Sequence, residues 1–476
     1  MSHLQNSIWH LRILLAVTIG CSCLNSGAVL AQKTAPRDPA EPQQGRPQPK
    51  LVPRPNGSLA RASVDEKSMR ALIEHLVACG TRLSLSSWTD PKRGIGCARD
   101  HIAARFQEIA KDSGGKLQVT VDKFDATSER TSGKPMPLES VYAVLPGSDP
   151  KLAKTVFIVS GHFDSRPSNV MDTEADAPGA DDDASGVAVS VECARLLSRA
   201  SSKAGANSKG GYRATLLFAA ISGEEQGLLG GYRLLEWAKQ QGYIIGGMLD
   251  DDIVGADPAP GAPHRVRVFS GNGELDDADS PGRELARAIE EIDGRSAIRM
   301  IFRVDRYGRG GDHYPFFKAG LPAVRFTEPL ETYTHQHQTP RTENGVEYGD
   351  FLKYLNFTFM GNVARENAEA LRQLALAPAP PTNAKLTGAV TPDAKVSWSA
   401  DEDSDRAGCE ILWRETTEPR WQVYDFAAAA GETVLKGVST DNHFFAVRSV
   451  GKNGARSLAA PTEMERRPPP GPSAPK

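Results

Sequence analysis

The chain has little cysteine: six residues in 476, none at the spacing of a thiolate metal site. A cysteine-ligated metal centre is therefore excluded. No glycine period of three and no sustained apolar heptad occurs, which excludes collagen and coiled coil. Net charge is small too, with 56 basic against 59 acidic residues. Nothing in that balance favours nucleic acid as a partner. Beyond the N-terminus no apolar run approaches the roughly 20 residues of a membrane-spanning helix. Whole-chain disorder is excluded by a hydrophobic fraction of 39%. The length predicts two or three domains.

Proline is unevenly spread. Residues 32–63 hold 7 and residues 461–476 hold 6, leaving 20 for the 397 residues between. The N-terminus reads as a signal peptide over 1–31: His10 and Arg12 precede an apolar run at 13–24, and Val29-Leu30-Ala31 precede Gln32. Export to the periplasm or the extracellular space is expected. Gly20-Cys21 inside the run leaves lipoprotein anchoring at Cys21 open. Once 1–31 is removed, the flanks are basic and the middle carries about nine excess negative charges. Export permits disulfides, and Cys79 with Cys97 is the expected pair. Cys193 and Cys409 read as buried thiols.

The pattern predicts a Pro-rich linker at 32–63, a main domain at 64–377, a small β-sandwich at 383–462 and a tail at 463–476. Ser63 with Glu66 predicts a capping box, followed by Met69, Leu72, Ile73 and Leu76 at helical spacing. Ala98, Ile102, Phe106 and Ile109 predict a second helix. Short apolar runs then appear at 141–145, 155–160, 214–221, 244–254, 266–269, 300–304 and 323–326. Helical patterns intervene at 186–199, 230–240, 283–292 and 352–374. That alternation predicts an α/β fold with a mainly parallel, twisted sheet flanked by helices. Strand-period segments from 395 to 450 predict the C-terminal all-β unit.

Chemistry-bearing residues fall where strands stop, as they do in such sheets. They are Gly161-His162-Phe163-Asp164, the acidic run 181–183 opening a helix, Ser222-Gly223-Glu224-Glu225, Asp250-Asp251-Asp252, and Tyr333-Thr334-His335-Gln336-His337. Each alone has an ordinary explanation, such as a helix cap or a solvated turn. Together they supply the His, Asp and Glu of a hydrolytic zinc site. Six acids lie within 172–183 with no Lys or Arg among them, and a divalent cation is the simplest counter-charge.

At His162-x-Asp164, 178–186, Glu224-Glu225-x-Gly227-Leu228 and Gly311-Asp312-His313 the chain resembles the secreted di-zinc aminopeptidases, a family with glutamate carboxypeptidase-like members. The resemblance spans roughly 65–375 and implies two Zn2+ per chain, with Co2+ or Mn2+ as substitutes, and a peptide substrate. It implies His162, Asp182, Glu225 and Asp252 as ligands, with Asp182 bridging, and Glu224 as general base. Of the two late histidines, His337 is taken as the last ligand over His335. Asp164 and Asp312 are expected to support the ligands from behind, and so is His313. Tyr307 resembles a tyrosine that steadies the tetrahedral intermediate. A carboxypeptidase or a single-zinc glutaminyl cyclase-like enzyme would share most of these motifs, and a metal-free receptor or adhesion protein would share the fold. Residues 383–462 resemble a fibronectin type III module, with docking to substrate or cell surface as one role and simple stabilisation as the other.

Overall fold

The computed structural model describes residues 52–54, 64–203, 211–257, 265–271 and 279–464. The expected signal peptide with Cys21, most of the 32–63 segment and the chain beyond 464 lie outside the described residues. No helix among the described residues is long and apolar enough to cross a membrane.

The first helix, α1 (Glu66–Ala78), starts two residues later than the capping-box reading required. Asp65 is its cap, accepting from the Ser68 amide at 3.0 Å. Helix α2 (Ile95–Asp112) follows, tied to the end of α1 by a Cys79–Cys97 disulfide. Strands β1 (Gln118–Ala126) and β2 (Met136–Leu145) form a hairpin, and β3 (Thr155–His162) leads to α3 (Ala184–Lys203). Then come β4 (Thr215–Ile221), α4 (Leu229–Gln240), β5 (Ile244–Asp251), β6 (Val266–Phe269) and α5 (Pro281–Asp293). After these come β7 (Ile298–Ile301), α6 (Tyr314–Lys318), β8 (Ala323–Thr327), a small hairpin of β9 (Arg341–Glu343) and β10 (Val346–Tyr348), and α7 (Phe357–Leu376). The helical pattern at 352–374 is interrupted: Leu352–Tyr354 is a 3-10 turn, and Asn356 caps α7 by accepting from the Phe359 amide.

Eight strands form one sheet in the order β1-β2-β4-β3-β5-β8-β6-β7. The central run β4-β3-β5-β8 is parallel, β1 and β2 pair antiparallel with their neighbours, and β6 runs antiparallel to β8 but parallel to β7. Every residue of β4 is buried, as a strand covered on both faces requires. One face packs against α1, α2, α3, α5 and α7 through residues such as Phe106, Leu197 and Leu371. The other packs against α4 and α6 through Leu234, Trp237 and Phe316. Each such side chain contributes roughly 1.5–3 kcal/mol by leaving water. Helix α3 lies close on β3 because Gly161 faces Gly186: a Cβ on Gly161 would meet Gly186 backbone carbon at 2.3 Å.

The C-terminal part contains β11 (Thr382–Thr387), β12 (Ala394–Ser399), β13 (Arg406–Glu415), β14 (Gln422–Ala427), β15 (Gly431–Leu435), β16 (His443–Gly451), β17 (Ala460–Pro461) and β18 (Glu463–Met464). They form two four-stranded sheets, β15-β12-β11-β18 and β14-β13-β16-β17. Val396 and Trp398 of one pack with Ile411, Phe445 and Val447 of the other. Cys409 is a free buried thiol in this core, and Cys193 is buried in α3.

Candidate metal centre

Strands β4 and β5 flank β3 on its two sides, so their C-terminal ends form one rim. Register sets His162 beside Ile221 and Ser160 beside Asp250. His162 therefore comes from the end of β3, Glu224 and Glu225 from the turn after β4, and Asp252 from the residue after β5. The acidic run 181–183 enters the same crevice from the N-terminal side of α3. Asp350 fastens that run, its carboxylate accepting the amides of Asp181 and Asp182 at 2.9 and 2.8 Å. The Asp182–Asp183 peptide is cis.

The three acids of this run have different partners. Asp183 turns inward and accepts the amides of His162 and Gly186 at 3.0 and 2.9 Å. Asp181 accepts the Gly255 amide at 2.7 Å. Asp182 faces the crevice with one oxygen towards each histidine. Its Oδ1 lies 3.2 Å from His162 Nε2, and its Oδ2 lies 3.0 Å from His337 Nε2. Asp252 Oδ1 is 3.7 Å from His162 Nε2, and Glu225 Oε1 is 3.0 Å from His337 Nε2. Two three-residue groups result, His162–Asp182–Asp252 and Asp182–Glu225–His337, with donor atoms within 4.8 Å of one another in each. Asp182 belongs to both.

These donors fit a pair of divalent cations. Glu225 Oε1 is buried and accepts no hydrogen bond, although His337 stands beside it. The five donor side chains converge from separate segments on one crevice, as ligands around ions do. Burial opposes a charge on His337, yet Glu225 and Asp182 push it up to about 10. His162 is likewise raised despite burial, by Asp164, Asp182 and Asp252. The carboxylates thus demand positive charge between them, and a cation supplies it while leaving both imidazoles neutral.

The supporting layer is dense. His162 Nδ1 faces the Asp164 carbonyl oxygen at 3.0 Å, which directs Nε2 into the crevice. The Asp164 carboxylate is 3.6 Å from the same ring and accepts the amides of Glu224 and Glu225 at 3.3 and 3.1 Å, so one residue sets both motifs. Glu224 lines the pocket above the donors. Burial raises its carboxyl well above the usual range; His162 works against that, and Glu225, Asp252 and Asp312 add to it. His313 bridges Asp250 at 3.3 Å and the Val304 carbonyl at 2.8 Å. Asp312 is buried with both carboxylate oxygens unbonded.

Of the two late histidines only His337 reaches the donors; His335 stacks on Tyr354 at 3.8 Å. Tyr307 is the correction. Its side chain is 88% exposed, with Arg303 over its ring, and it does not line the pocket. The loop after β7 turns arginines inward there instead. Sequence reading also missed Arg325, wholly buried in β8, whose guanidinium meets Asp252 Oδ2 at 2.8 Å and Asp305 at 3.1 Å. An arginine inside an apolar strand was the available signal, since a buried cation needs a partner. His337 (φ 55°), Ile253 (φ 62°) and Leu228 (φ 60°) are all left-handed, and all border the site. A β-branched residue there is a genuine outlier, and such backbone clusters at working sites.

The model of peptidase family M28 matches residues 140–350, which contain every donor named above. A probable zinc metalloprotease of Pyrenophora tritici-repentis is 38% identical over 437 residues, covering 86% of this chain and 88% of that protein. The chain belongs to peptidase family M28. A second relative, a probable zinc metalloprotease of Pyricularia oryzae, is 37% identical over 84% of this chain and 83% of its own length. Among solved structures, the LapA aminopeptidase of Legionella pneumophila is 20% identical, covers 67% of this chain and 74% of that one, and superposes at TM-score 0.48. A glutaminyl cyclase of Porphyromonas gingivalis covers 65% of this chain and 98% of its own at 16% identity and TM-score 0.46.

Proposed function

We propose that this M28 member is an exported metallo-aminopeptidase that removes N-terminal residues from peptides. The observation that carries the reading is Asp182, whose two carboxylate oxygens serve two separate donor groups. His162 and Asp252 would hold one zinc, Glu225 and His337 the other. Bound there, the ions would polarise the scissile carbonyl and make water acidic near neutral pH. Glu224 takes the proton from the attacking water and returns it to the leaving amine, a role that its raised affinity for protons suits. Asp164 fixes the ring of His162 and the backbone of Glu224 and Glu225 together, so nucleophile activation and ligation share one geometry.

The pocket has a volume of about 260 Å3. That is below the roughly 300–1,000 Å3 of drug-sized sites and suits one end of a peptide. Export is supported by the N-terminal pattern and by the Cys79–Cys97 disulfide. The C-terminal sheets, read as a fibronectin type III-like module, serve as a fixed brace: Trp421 Nε1 donates to Glu284 of α5 at 2.7 Å.

Metal analysis of the purified protein, with hydrolysis of aminoacyl amides bearing a free or an acetylated amine, tests the reading. Two zinc ions per chain and activity on free amines only are expected. One ion per chain would favour a cyclase-like enzyme. Equal hydrolysis of acetylated substrates would remove the aminopeptidase assignment.

A further inference from the structure

The same pocket carries a feature that the metal donors do not explain. Four arginines line it: Arg130, Arg166, Arg306 and Arg309. Two are committed to the protein. Arg130 donates to the Glu225 carbonyl at 2.6 Å. Arg306 is held by Asp305 at 3.1 Å, Glu331 at 3.0 Å and the Gly310 carbonyl. Arg309 spends one terminal nitrogen on Glu331 at 2.6 Å and the other on Gln336, next to His337, at 3.3 Å, which leaves its remaining N–H donors for a ligand. Glu331 is shared among Arg267, Arg306 and Arg309, so one carboxylate faces three guanidiniums. Arg166 is the least committed. Its nearest carboxylate oxygen, Glu225 Oε2, is at 4.0 Å, and its Nε is buried without a hydrogen-bond partner among the described residues.

The acids of the crevice engage these arginines only loosely: Asp182 and Asp252 act on Arg309 through their charge, and Glu225 stands 4.0 Å from Arg166. Asp252 already has Arg325, and any divalent cation held by Asp182 and Glu225 only adds positive charge. A guanidinium with unspent donors beside a cationic wall is built for a planar anion.

We infer that Arg166 and Arg309 form a carboxylate subsite, and that the favoured substrate carries a carboxylate next to the scissile bond. The inference rests on the peptidase reading and sharpens it. The carboxylate has two sources: the free C-terminus of a dipeptide, or an acidic side chain following the cleaved residue. Two substrate pairs separate them, leucylleucine against leucylleucinamide, and leucyl-glutamyl amide against leucyl-glutaminyl amide.

The metal-loaded full chain should prefer the carboxylate member of at least one pair by about tenfold or more in kcat/KM, carried mainly by KM. Raising the salt concentration should erode the preference. In the Arg166→Gln/Arg309→Gln double variant the ratio should fall towards one. No preference in either pair, or an equal loss on both members of each pair in the variant, overturns the subsite. Calorimetry on the metal-loaded Glu224→Gln protein keeps this test apart from the peptidase reading. Succinate should bind about tenfold or more tightly than its diamide, and the two arginine substitutions added to that background should remove the difference. If no peptide is hydrolysed, the peptidase reading fails and the succinate titration alone decides the subsite.

Discussion

Two regions of this molecule bury many charges, and they balance them in opposite ways. At the strand ends Asp164, Asp182, Asp183, Glu225, Asp252 and Asp312 outnumber the two buried arginines beside them, Arg82 and Arg325. Burial pushes Asp183 and Asp312 well above the carboxylate range, and both oxygens of Asp312 are unbonded. At the seam between α5 and the C-terminal sheets, each acid has its cations. Glu410 meets Arg448 and Arg456 at 2.6 and 2.8 Å; burial works to raise it, but the two arginines hold it below its ordinary value. Asp279 meets Arg287 and Arg414, both at 2.6 Å. Arg448 also bonds Glu291, which reaches Arg54 in the stretch expected to be a linker. Burial is common to both regions, so burial does not mark function. The unbalanced cluster does, because an excess of buried carboxylate is tolerated only where protons or a cation from outside neutralise it.

That contrast breaks most visibly at Asp182. Asp182→Ala removes the oxygen pair shared by both donor groups, so zinc content and turnover should both collapse. Full zinc content by elemental analysis would refute the bridging assignment. Glu224→Gln comes next. It should keep its zinc and lose about 10²–10⁴-fold in turnover, the usual worth of a positioned base. Near-normal turnover would remove Glu224 from that role.

Substitutions at the seam should behave in the reverse manner. Asp279→Ala leaves two guanidiniums without their shared partner and should cost about 3–5 kcal/mol in denaturant unfolding. Turnover per folded molecule should be preserved. At the strand ends, Asp312→Asn removes a buried acid that nothing satisfies. The chelated protein should melt a few degrees higher for it, while the metal-loaded protein gains less. Destabilisation of the chelated form would show that Asp312 has a partner the balance above lacks.

Much of this was legible in the sequence because ligation is local. A histidine or a carboxylate must stand at the very end of its strand, so Gly161-His162, Glu224-Glu225 and Asp250–Asp252 each announce themselves by position. The parallel centre was legible too, since strands buried on both faces are continuously apolar. Strand β1 was not. It is an edge strand containing Asp122, Lys123 and Asp125, with Asp122 its one buried residue and no apolar run to read. The second layer was also hidden. Asp350 clasps amides 169 and 168 residues earlier, and Arg325 reaches Asp252 across 73, so no local pattern connects them. Tyr307 was misread for the same reason: in an irregular loop, sequence offset does not fix which side chain turns inward.

The smallest expected effect lies at Glu284, where the seam comes nearest to imbalance. Burial pushes its carboxyl up to about 7; Arg287 opposes this, Asp279 adds to it, and the Trp421 indole donates to it. A folded value above the unfolded one means that the folded chain holds this proton more tightly. Its contribution to stability is then complete below the unfolded value of about 4.3 and is lost as pH rises through about 7. The wild type should lose a few degrees of melting temperature between about pH 4.3 and pH 7, and Glu284→Gln should lose less. Parallel slopes in the two proteins would place Glu284 among the fully balanced acids of the seam. A steeper wild-type slope would make it the one acid there that behaves like those at the strand ends, short of positive charge and dependent on a proton in place of a metal.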